Sequence, residues 1–149
     1  MNTIDDATDG MLILFVDDEE KSRKYFKIIF GRGRNVVVAN DGVHALEILN
    51  QDHSGRIGVI VTDQIMPRMT GIEMLRLATE RNPYYVRVLS TAYTDSELVA
   101  NAVKNGLIDY FVGKPWSIQK LGEIIESATL HYRHVKQSRR NCDERPTCA

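Results

Sequence analysis

The chain has 149 residues, 43% of them hydrophobic and 26% charged, with a net charge of −1. That length suits one domain with a single sizeable core, and the charge balance offers neither a basic surface for nucleic acid nor an acidic block for a solvating tail. The longest apolar run, MLILFV at 11–16, falls far short of the roughly 20 residues that span a bilayer. The acidic, polar start MNTIDDATDG is neither secretory signal nor transit peptide, so the expected compartment is the cytoplasm.

Residues 1–10 read as a disordered polar leader, and the folded part runs over 11–134. LILFV at 12–16 is the first strand signal, followed by a helical pattern over 19–30 that brings Tyr25, Phe26, Ile28, Ile29 and Phe30 to one broad face before Gly31 stops it. NVVVA at 35–39 is the second strand, and the turn signal Asp41-Gly42 opens a helix over 43–50. IGVIVT at 57–62 leads to a helix over 72–80, which Asn82-Pro83 ends. VRVLS at 86–90 leads to a helix over 95–104, with Asp95 as N-cap and Leu98, Val99, Ala102 and Val103 as its apolar stripe. DYFV at 109–112 leads to a helix over 117–134 that opens on Ser117. The remainder, 135–149, loses the apolar rhythm and is expected to be a flexible tail or linker.

Five strand signals alternate strictly with five helical ones. Parallel neighbours need a crossover and a helix is the usual one, so the pattern predicts a doubly wound parallel α/β sheet with helices on both faces. The first, third and fourth strands are nearly all apolar, as strands covered on both faces must be.

In such a sheet the chemistry gathers at the carboxyl ends of the strands. Strand one runs into Asp17-Asp18-Glu19, strand three into Asp63, strand four into Ser90-Thr91 and strand five into Lys114-Pro115-Trp116. Each residue alone has an ordinary explanation as a cap, a turn residue or a solvated charge; their joint arrival at one rim does not. Carboxylates that close together need a raised pKa or a bound cation. Oxygen-only ligands at an open rim suit Mg²⁺. Lys114 would meet phosphoryl oxygens as a point charge and Thr91 would donate a hydroxyl. Asp63, already ionised at neutral pH, could then act as nucleophile and form an acyl phosphate.

The motifs FVDDE (15–19), TDQIMPRMTG (62–71), STA (90–92) and GKPW (113–116) occur in this order and resemble the receiver domain of two-component response regulators. The resemblance covers residues 11 to about 130. It implies a flavodoxin-like sheet of order 2-1-3-4-5, with Asp63 as phosphoacceptor and Lys114 as the phosphate-binding cation. It implies Asp17, Asp18, Asp63 and the carbonyl of Ile65 as Mg²⁺ ligands, Thr91 as the switch hydroxyl and a cis Lys114–Pro115 bond. Phe111 stands at the switch aromatic, where tyrosine is more common, while the pleat sends Tyr110 to the other face. Ile65 and Tyr93 would flank the phosphoryl group; neither can position an attacking water, which implies slow self-dephosphorylation.

The implied partners are a sensor histidine kinase and a downstream output protein or attached output domain, with homodimerisation through the 95–134 face. Direct binding to nucleic acid or membrane is not expected. A haloacid-dehalogenase-like phosphatase would place its nucleophile on strand one in a DxD arrangement with a cap insertion, whereas this strand ends in DDEE and no insertion is long enough. Cys142 and Cys148, even with His131 and His134, match no zinc module spacing.

Overall fold

A computed structural model describes residues 10–92 and 97–144. The chain order is β1 (Leu12–Val16), α1 (Glu20–Phe30), β2 (Asn35–Ala39), α2 (Gly42–Gln51), β3 (Ile57–Asp63), α3 (Gly71–Arg81), β4 (Val86–Thr91), α4 (Glu97–Lys104), β5 (Tyr110–Gly113) and α5 (Ile118–Glu144). The strands form one parallel sheet in the order β2-β1-β3-β4-β5. This is the predicted doubly wound architecture, and it brings the ends of β1, β3, β4 and β5 side by side.

Alternation along the strands divides the core into two layers. Ile13, Phe15, Val59, Val61 and Val88 meet Phe26 and Phe30 of α1 and Leu121, Ile125 and Ala128 of α5. Leu14, Val16, Ile60 and Leu89 meet Ala45 and Leu49 of α2, Ile72 and Leu75 of α3, and Val99 and Ala102 of α4. The same alternation splits β5: Tyr110 packs with the α1–α5 layer and Phe111 with the opposite one, as the pleat predicts.

The helix ends follow local chemistry. Asp41 caps α2 by accepting the His44 N–H at 2.8 Å. Thr70 and Glu73 form a reciprocal capping box at the start of α3. Ser117 accepts the Lys120 N–H at 3.3 Å at the start of α5, whereas the expected cap Asp95 lies outside the described residues.

Two expectations need correction. The apolar face of α1 is narrower than predicted: Phe26 and Phe30 are buried, but Tyr25 and Ile28 are 45% and 63% exposed. A helix turning 3.6 residues at a time cannot aim both Phe26 and its neighbours at one sheet. Further on, α5 continues to Glu144, ten residues past its expected end at 134. No glycine or proline lies between Gly122 and Pro146 to stop it. Tyr132 is buried against Gly58, where an added Cβ would come within 2.7 Å of the ring. Arg139 lies over the Tyr84 ring at 4.1 Å, so tertiary contacts support the helix where its apolar rhythm has faded.

Candidate functional site

Asp17 and Asp18 follow β1 directly, and Asp63 is the last residue of β3. Because β1 and β3 are neighbours, with Val16 opposite Thr62, the three carboxylates converge, each offering an oxygen within 4.8 Å of the others. Asp17 is fully buried and Asp18 exposed. Among the described residues this is the one group of three side chains able to hold a metal ion. Its donors are all carboxylate oxygens, a set that fits a hard cation such as Mg²⁺ rather than a softer metal.

Lys114 enters from the end of β5. Its Nζ donates to Asp17 Oδ2 at 2.8 Å and lies 3.4 Å from Asp63 Oδ2. Burial alone would lower the lysine pKa, but the hydrogen bond and charge of Asp17, reinforced by Asp63, hold it above its ordinary value. Asp63 moves in the unfavourable direction: burial raises its carboxyl pKa, Lys114 opposes this, and the Asp17 charge adds to it. One lysine shared between two acids thus leaves the cluster short of positive charge.

Thr91 ends β4 and is fully buried, and its carbonyl accepts the Lys114 N–H at 3.0 Å. The Lys114–Pro115 peptide is cis. Phe111 is half-buried at the sheet edge. Ile65, two residues past Asp63, is 56% exposed, and Tyr93 lies outside the described residues. His131 rests against the Tyr110 ring, its centroid 5.9 Å away.

Several supporting residues were not foreseen. Gln64 is buried and wraps the loop after Asp63. Its N–H donates to Asp63 Oδ1 at 2.8 Å, its side-chain carbonyl accepts the Ile72 N–H at 2.9 Å, and its backbone carbonyl accepts the Gly71 N–H at 3.0 Å. A Cβ on Gly71 would run into the Asp63 carbonyl, so only glycine closes this loop without displacing it. Arg68 takes a left-handed backbone (φ 71°), which costs a non-glycine residue about 1 kcal/mol. It pairs there with Asp41, the cap of α2. The T-x-x-E pattern at 70–73 was the readable signal for this loop's exit; the Arg68–Asp41 pairing joins loops far apart in sequence and left none.

The chain matches the family model for the response regulator receiver domain over residues 13–126. It belongs to the receiver family. Members are signalling domains of two-component systems. The receiver is 38% identical over 120 residues to the chemotaxis protein CheY of Pseudomonas aeruginosa, covering 78% of this chain and 94% of that one. It is 34% identical over 94 residues to the DNA-binding transcriptional regulator NtrC of Proteus hauseri, covering 63% of this chain but 20% of that protein. Two further curated relatives are the hydrogenase regulator HoxA of Cupriavidus necator and a cyclic di-GMP phosphodiesterase of Thermotoga maritima; the receiver spans 23% and 29% of their lengths. Among solved structures it resembles the signal receiver domain of an HD domain-containing protein from Pseudomonas fluorescens. The TM-score is 0.76 at 25% identity, over 83% of this chain and 98% of that one. No helix of the described residues is long and apolar enough to cross a membrane.

Proposed function

We propose that the receiver is a cytoplasmic switch phosphorylated on Asp63 by a partner histidine kinase in a Mg²⁺-dependent phosphorelay. The observation that carries this reading is the Lys114 ammonium held between Asp17 and Asp63 in a cluster of three carboxylates. An Asp63 oxygen attacks the phosphorus of the donor phosphohistidine, and the phosphorus–nitrogen bond breaks. Its electron pair leaves on the imidazole, and Asp63 becomes an acyl phosphate. Lys114 stands where it can turn from Asp63 to a phosphoryl oxygen, keeping Asp17 as its second partner. Asp17, Asp18, Asp63 and the Ile65 carbonyl are the proposed Mg²⁺ ligands, and the ion when bound supplies positive charge against the carboxylates and phosphoryl oxygens.

Thr91 is the proposed switch hydroxyl and Phe111 the switch aromatic. Phe111 can fill space vacated at the sheet edge but offers no hydroxyl to a partner. The exposed apolar residues Val103 and Ile118 support the α4–β5–α5 face as the surface that meets an output partner or a second copy. The charge of −1 supports output through protein contacts rather than direct DNA binding. Ile65, apolar beside Asp63, positions no attacking water and supports slow self-dephosphorylation.

Incubation with acetyl phosphate and Mg²⁺ tests the reading by intact mass. The expected result is one phosphoryl group on the wild-type chain, none on Asp63→Asn, and decay over minutes or longer after the donor is removed. An unmodified wild type, or equal modification of Asp63→Asn, rejects phosphorylation at this site; decay within seconds rejects the slow lifetime alone.

A further inference from the structure

Trp116 is the chain's single tryptophan and lies two residues beyond Lys114. Its indole N–H donates to the hydroxyl of Ser90 at 2.6 Å. Ser90 is fully buried on β4, immediately before Thr91 and opposite Val112. The indole is half-buried and stands edge-on to Phe15, with centroids 5.5 Å apart, and to Phe26 at 6.3 Å. Those two rings are stacked on each other at 4.0 Å. The Lys114 ammonium lies over the indole, 5.4 Å from the ring centroid.

The loop that carries Lys114 is therefore fastened to β4 twice. One fastening is the Lys114 N–H to the Thr91 carbonyl at 3.0 Å, and the other is the Trp116 indole to Ser90. Packing against Phe15 and Phe26 alone would be satisfied by any large ring. The N–H of Trp116 adds direction, because a buried hydroxyl leaves the indole one preferred place to point. Lys114, Pro115 and Trp116 together line a cavity of about 590 Å³, so the lysine has open space on one side and depends on its loop for its place between the two acids.

We propose that Trp116 is a positioning residue for the reaction at Asp63: its indole bond to Ser90 fixes the loop that holds Lys114 between Asp17 and Asp63. The inference rests on the phosphorylation reading above and adds a residue pair to it. The bond links the proposed phosphate-binding cation at the end of β5 to the strand that delivers Thr91, so the two arms of the switch share one fastening.

The test uses the full chain with acetyl phosphate at varied Mg²⁺ concentration, comparing wild type with Trp116→Phe, Ser90→Ala and the double variant. Trp116→Phe keeps a ring and loses the donor; Ser90→Ala keeps the ring and loses the acceptor. Each single variant should lower the maximal rate of Asp63 phosphorylation about 2- to 10-fold, the size of one neutral hydrogen bond. The double variant should be no slower than the worse single one, because both remove the same bond. Half-saturating Mg²⁺ should stay at the wild-type value, since the three carboxylates are untouched. A change that merely loosened the fold would move Mg²⁺ affinity and melting temperature together. In wild type and Ser90→Ala, the lone indole N–H signal gives a second readout: its hydrogen exchange should be slow in the first and fast in the second. Wild-type rates in both single variants, or additive losses in the double one, overturn the inference while leaving phosphorylation standing. Absence of phosphorylation in the wild type overturns both.

Discussion

The two ends of the sheet solve the problem of charge in opposite ways. At the amino end, Arg87 and Asp109 are mostly buried and paired at 3.1 Å, Asp109 also accepts the Arg87 backbone N–H at 2.8 Å, and the guanidinium reaches Thr79 at 3.0 Å. At the carboxyl end, three carboxylates cluster around one lysine that pairs with only two of them, and burial and Asp17 raise the pKa of Asp63. The first arrangement is complete as it stands, and the second is complete only when positive charge arrives. On the function proposed above, stability and reactivity are kept about one strand length apart, so the end carrying the acid cluster can be strained electrostatically while the other end holds the fold.

Substitutions can break this contrast. The largest expected effect is Asp63→Asn, which should abolish phosphorylation while leaving the far-UV circular dichroism spectrum unchanged. Next is Asp109→Ala, which leaves the Arg87 guanidinium mostly buried without its acid; it should cost about 2–4 kcal/mol by urea denaturation, with the Mg²⁺ requirement for phosphorylation unaltered. A cost under half a kilocalorie would show that the amino-end pair is ornamental. Gly58→Ala forces a Cβ toward the Tyr132 ring and should destabilise by about 1–3 kcal/mol; an unchanged denaturation midpoint would mean that α5 simply moves aside.

The smallest effects sharpen the electrostatic half of the contrast. Without Mg²⁺, Asp63→Asn should raise the melting temperature, since it removes a carboxylate whose ionised form the fold disfavours. The pH dependence has a definite sign. A carboxyl whose pKa is raised on folding keeps its proton longer in the native state than in the unfolded one. Its contribution therefore declines as pH rises from its ordinary value of 3.8 through the folded pKa. Denaturation of wild type against Asp63→Asn across that window should show wild type losing stability relative to the variant as pH rises. The reverse slope would place the strain elsewhere.

Most of the architecture was readable because it rests on patterns that burial enforces. Apolar runs such as LILFV and IGVIVT, short and rich in β-branched residues, suit strands covered on both faces, and the alternation of elements then sets the sheet type. The rim residues were readable for a related reason: Asp17, Asp63 and Lys114 each follow an apolar strand run, and although any one of them could be a cap, a turn residue or a solvated charge, the sheet order delivers them to the same rim. What stayed hidden depends on lateral neighbours. Ser90 is an unremarkable serine until β4 is placed beside β5 and the Trp116 indole comes within 2.6 Å. Gln64 gives no sequence signal because its partners are backbone groups of the loop it creates. The end of α5 was misplaced because Tyr132, lodged at Gly58, and Arg139, lying over Tyr84, substitute single tertiary contacts for a continuous apolar stripe.

The length of that final helix has a mechanical consequence. At 27 residues it is a rod of about 40 Å, against about 20 Å for a typical strand. It begins four residues past Lys114 and passes the amino end of the sheet, so it turns angle into distance. A tilt of about 5° about the Ile118 end would carry Glu144 roughly 3.5 Å, more than twice the helical rise per residue. An event confined to the rim need displace nothing near it by much to be felt at the opposite pole of the molecule.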